Sequence, residues 1–168
     1  MNQWQRDKRW SDRFLPEIKR HIGEHLIGEP PKEEDAERNT DLMVLRMDAV
    51  RIGCRIRKHK FLGPYGDQFT IRAGRPSGAK TELTKVIEGW GDYFFYGFSD
   101  PEERALSRWL LGDFRVFRVW HSRCLAAGRR PWKRRDNHDR SSTFHSYHVA
   151  DIPGFVVASN WLARADAA

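Results

Sequence analysis

Cysteine is nearly absent from this chain, with Cys54 and Cys124 the only two. So sparse a thiol content excludes a disulfide framework, and no Cys/His cluster has zinc spacing; both thiols are expected reduced, as in the cytoplasm. Cys54 falls on the apolar side of an alternating segment and is expected to be a buried structural thiol. Apolar runs long enough to cross a bilayer are missing, and the opening MNQWQRDKRW lacks the apolar stretch of a signal peptide, so a soluble protein with no membrane partner is expected. There is no G-x-S-x-G turn, the loop 75–80 lacks P-loop spacing, and no internal repeat is present, which removes serine-nucleophile and nucleotide-hydrolase readings.

What the chain does have is positive charge and aromatic rings. Its 168 residues carry 30 Lys and Arg against 23 Asp and Glu, a net charge of +7, with seven Trp and ten Phe. That length and apolar content support a packed core, and the charge favours an anionic partner, nucleic acid ahead of membrane.

Periodicity gives the element order. Residues 4–27 keep helical spacing through Trp10, Phe14, Ile18 and Ile22, with Pro16 suited to the first turn of a second helical segment beginning near Leu15. An acidic stretch, 32–39, precedes an apolar strand over 42–47. The segment 50–58 alternates Val50, Ile52, Cys54 and Ile56 with Arg51, Arg55 and Arg57, and 68–73 alternates Phe69 and Ile71 with Thr70 and Arg72. These three strands are expected to form an antiparallel meander. A helix follows from Thr81 to about Gly89, then an aromatic strand over 93–98, a strand over 105–111 and a helix through Phe114, Phe117 and Trp120. The run 128–142 reads as a basic loop or arm with little to bury, and 143–149 as an edge strand. The fold class is expected to be α+β, or a mixed α/β sandwich, with the sheet between helices.

Helix, three strands, helix, strand, with Thr40-Asp41-Leu42 opening the apolar strand, resembles the PD-(D/E)XK, or restriction-endonuclease-like, superfamily. The resemblance covers roughly residues 10–112, and the segments 90–98 and 111–117 look like those of proteins encoded by phages and prophages. It implies a nuclease-like core over 1–125, with 126–168 a basic arm and C-terminal edge strand on the same domain. It also implies a metal-bearing acid at Asp41, with Mg²⁺ or Mn²⁺ as the cofactor of an active enzyme and no other cofactor. The second acid and the lysine of that motif fall on Arg55-Ile56-Arg57 or on Thr70-Ile71-Arg72, and neither supplies a carboxylate. Arginine neither ligates a metal nor acts as a base. Glu34 and Asp35, beside Glu33 and Glu37, are the candidates to return an acid to Asp41 in a rearranged metal-dependent nuclease.

Two readings of the arginines stand side by side. Arg51, Arg55, Arg57 and Arg72 can converge on phosphate oxygens, or they can form a solvated face paired with Glu34, Asp35 or Glu82. The run Arg129, Arg130, Trp132, Lys133, Arg134 and Arg135 combines cations with a ring, as single-stranded nucleic acid requires. The chain is therefore expected to be a catalytically degenerate, phage-type binder of DNA or RNA. The alternative is a non-enzymatic phage factor that engages a host or phage protein complex, such as an inhibitor of a CRISPR effector.

Overall fold

The computed structural model describes residues 3–28, 43–44, 50–137, 139 and 141–161. It divides into two compact units, Met1–Val50 and Arg51–Ala168. The architecture is mixed α and β.

In the first unit, helix α1 (Gln3–Asp12) is followed by α2 (Leu15–Leu26). The break sits where Pro16 predicts it, since a proline lacking its N–H is harmless only in a first turn. Phe14 and Ile18 are buried, and Trp10 meets Phe14 edge-on at 5.3 Å. Two-residue strands β1 (Ile27–Gly28) and β2 (Met43–Val44) pair antiparallel.

The second unit contains two sheets. The four-stranded one has the order β3-β5-β6-β9, built from β3 (Ile52–Arg57), β5 (Tyr93–Ser99), β6 (Leu106–Asp113) and β9 (Val156–Ser159). β3 runs parallel to β5, and the other pairs are antiparallel. The three-stranded antiparallel sheet has the order β4-β8-β7, from β4 (Gln68–Gly74), β8 (Thr143–His148) and β7 (Lys133–Asp136). Helix α3 (Leu62–Tyr65) links β3 to β4, α4 (Glu82–Ile87) follows β4, and α5 (Phe114–Ala126) follows β6. Thr81 caps α4 by accepting from the Thr84 N–H at 3.3 Å, and Gly89, at φ 96°, lets the chain turn out of it.

Three expectations are corrected. The strands over 50–58 and 68–73 lie in different sheets, so they form no meander. The connection between them makes a short helical turn, which frees β3 to pair with β5 across α4. The basic run is no loose arm: 133–136 is a strand, added because β8 offers it a hydrogen-bonding edge. That addition makes β8 the central strand of its sheet rather than an edge.

Phe69 of β4 is the hub of the core. Its ring stacks on Phe155 at 4.9 Å and Tyr147 at 5.4 Å, and lies 6.0 Å from both Phe94 and Phe117. One residue therefore joins both sheets and α5, each contact adding to the area it buries. Gly112 on β6 carries no Cβ because the Phe155 ring occupies that space.

Candidate nucleic-acid interface

Strand register decides where the arginines go. Across the parallel pair, Gly53, Arg55 and Arg57 sit beside Phe94, Tyr96 and Phe98, and aligned residues on neighbouring strands share a face. All three aromatic partners belong to the core cluster shared with β4 and α5, whereas Phe95, aligned with Cys54 and also buried, does not. The arginines thus point to the inner side of the sheet, and Cys54, on the opposite side, is solvent-exposed rather than buried as expected. Because β3 is the last described strand on its side of the sheet, its inner face meets a gap between the two sheets rather than the packed centre.

That gap is a cleft of about 340 Å³. Arg57 reaches into it from β3 and Arg135 from β7, with Phe61 and Tyr65 on one wall and Tyr96 and Phe144 on others. Thr70, Ser146 and Asn137 bring hydroxyl and amide groups. The Thr70 hydroxyl and the Tyr96 phenol lie 3.4 Å apart. The Arg57 guanidinium rests 4.4 Å from the centre of the Phe61 ring, and that of Arg135 5.3 Å from Tyr65. Arg55 and Arg72 approach Phe144 at 5.3 and 5.4 Å. Two guanidinium groups, Arg57 and Arg135, therefore line the cleft braced on rings, and Arg55 and Arg72 lie against Phe144 without lining it.

Their counter-charges are few. Glu82, first residue of α4, accepts from Arg55 Nη2 and, at 3.1 Å, from the backbone N–H of Arg72. It thereby clips β3 to β4, and for Arg55 the paired-face reading holds. Arg57 has no carboxylate or hydrogen-bond partner among the described residues. Burial, and with it the charge of Arg55, pushes its guanidinium below the usual value. Arg72 is lowered by burial first and then by Arg55 and Arg75, and its Nε is buried without a partner. Among the described residues that line the cleft, the one carboxylate, Asp136, accepts from Thr143 Oγ1 at 2.7 Å and Arg134 Nε at 3.3 Å. Half-buried cations without a matching anion carry a desolvation cost that an anionic ligand relieves.

The other expected residues separate. Arg51, Arg129 and Arg130 are exposed and do not line the cleft. Along β7, register places Lys133 beside Ser146 and Arg135 beside Phe144, on the cleft side, and Arg134 beside His145 on the opposite side. Trp132 is no free stacking platform. Its ring stacks on His145 at 4.5 Å and on His121 at 5.3 Å, and it packs against the core. His121 Nε2, His145 Nδ1 and Tyr147 OH there are buried without hydrogen-bond partners. Burial, then the charges of His121 and Arg134, pull His145 from 6.5 to about 4, and burial lowers His121 too. Burial likewise pushes the Tyr147 phenol well above its usual value.

Asp41, Glu34 and Asp35, with Glu33 and Glu37, lie outside the described residues. Among the described residues no group of three or more His, Cys, Asp or Glu is placed to hold a metal ion, and no helix is long and apolar enough to cross a membrane. The cleft's aromatic and hydroxyl groups escaped the sequence reading. Tyr96 sits inside an apolar run, and Phe144 on a strand whose alternation predicts an edge. The only signal was Phe61 and Tyr65 beside Lys58 and Lys60, cations interleaved with rings. Comparisons with protein-family models, curated proteins and solved structures find no match.

Proposed function

We propose that this protein binds nucleic acid through the arginine cleft, as a phage-type binder that holds its substrate without cutting it. The observation that carries the reading is that Arg57 and Arg135, from two sequence segments each singled out for positive charge, line a single cleft. Guanidinium groups are suited to phosphate oxygens, and rings beside them are suited to bases. The restriction-endonuclease-like core belongs to the same proposal. It is supported by the element order, while the division of the meander between two sheets counts against it. Binding without cleavage is supported by Arg55 and Arg57, which stand where the resemblance expects an acid and a lysine.

Anisotropy of labelled single- and double-stranded DNA and RNA, titrated with protein between about 50 and 200 mM salt, tests it. Two phosphate contacts, at Arg57 and Arg135, predict a log–log slope of about −1.5. Arg57→Met and Arg135→Ala should each weaken binding and bring the slope roughly one closer to zero. Affinity indifferent to salt would overturn the reading.

A further inference from the structure

The cleft is small, and its size narrows what it can hold. At about 340 Å³ it lies at the low end of small-molecule sites, roughly 300–1,000 Å³. Two kinds of group meet in it. Arg57 and Arg135 supply positive charge, each braced on a ring; half-exposed Tyr65 offers aromatic surface, and the buried Phe144 closes the wall beside it. Thr70, Tyr96, Ser146 and Asn137 add donors and acceptors suited to the edge of a base or a sugar.

A smooth duplex surface uses only the first kind. Phosphates on the outside of a helix can meet arginines, but stacked and paired bases cannot enter a recess between two sheets without being extruded. A base already unpaired has a free π-face and a free hydrogen-bonding edge. Resting on the nucleic-acid reading above, we infer that the cleft is a pocket for one phosphorylated nucleoside with an unpaired base. The phosphate lies against Arg57 and Arg135, and the base lies among Tyr65, Phe144 and the Thr70–Tyr96 hydroxyl pair. A single strand and a free nucleoside monophosphate present the same chemistry.

The test uses the full chain and a single-stranded oligonucleotide carrying a fluorescent adenine analogue, the same strand annealed into a blunt duplex, and free adenosine monophosphate as competitor. The single strand is expected to bind about tenfold more tightly than the duplex and to lose fluorescence as its base stacks. An abasic site in place of the analogue should weaken binding by a similar factor. Tyr65→Leu, at a half-exposed position on a short helix, should reduce single-strand affinity without altering the salt slope. Tyr96→Phe removes only an oxygen, that of the Thr70–Tyr96 pair, and should weaken binding while urea denaturation shows the fold intact. Displacement by the monophosphate assigns the pocket to free nucleotides, and displacement by single strands alone assigns it to a strand. Equal binding of duplex and single strand, with no effect of the abasic site, overturns the pocket and leaves general nucleic-acid binding intact. Absence of any salt-dependent binding overturns both.

Discussion

Lowering the pH from about 7.5 to about 4.5 is expected to cost this protein stability through one ring, His145. Its imidazole stacks on Trp132 at 4.5 Å, its Nδ1 is buried without a partner, and its affinity for protons falls from 6.5 to about 4. The groups facing it are His121 on α5 and Arg134 on β7, and a second positive charge is unwelcome beside either. In the unfolded chain the ring takes up a proton near 6.5; in the folded chain it resists until about 4. The unfolded state therefore binds more protons across that window, so the contribution is complete above the upper value and lost as the pH falls to the lower one. The span is worth at most about 3 kcal/mol, and partial solvent access reduces it to roughly 2. That is a large share of the 5–15 kcal/mol typical of a domain. Urea denaturation followed by tryptophan fluorescence at a series of pH values measures it, with His145→Gln as the reference because every other carboxylate and histidine titrates in both proteins. Wild type should lose about 2 kcal/mol more than the variant between the two extremes. A difference that stays constant with pH would refute the assignment.

Two further substitutions test the packing and the charge balance. Gly112→Ala pushes a methyl into the fully buried Phe155 ring and should cost about 1–3 kcal/mol or more in urea denaturation. Glu82→Gln keeps an acceptor for Arg55 and for the Arg72 N–H but removes the negative charge between them. It should lower stability by about 1 kcal/mol and raise oligonucleotide affinity a few-fold in the same anisotropy assay.

Local pattern made most of the second unit legible. The apolar stripe of α5, the cap at Thr81, the aromatic run of β5 and the alternation of β4 each specify an element from neighbours in sequence. Alternation on β3 was equally clear, but it fixes only that Arg55 and Arg57 share a face, not which face looks inward. That choice belongs to the partner strand: pairing with β5 in the observed register aligns the arginines with Tyr96 and Phe98. The same limit applied to the basic run. Its composition suggests an arm, and only the free edge of β8 turns it into a strand, sending Arg135 to the cleft and Arg134 to the histidines. Pairing between segments distant in sequence depends on tertiary contacts that periodicity does not encode.

Inward-pointing cations on the last described strand of a sheet have a second explanation, which is that they discourage edge-to-edge pairing with another chain. The two explanations differ over counter-ions. Protection against pairing is served equally well by a neutralised charge, as Arg55 is by Glu82. It gives no reason for Arg57 to be half-buried on the Phe61 ring with no carboxylate partner among the described residues. Keeping that charge unpaired costs folding energy, and replacing a poorly solvated charge by an apolar side chain of similar length is often stabilising. Arg57→Met should therefore raise stability by about 1 kcal/mol in urea while abolishing most oligonucleotide binding, the opposition expected of a residue retained for a ligand rather than for the fold. If the variant is instead less stable and aggregates with its affinity unchanged, Arg57 guards the edge of the sheet, and the cleft is only the space left beside it.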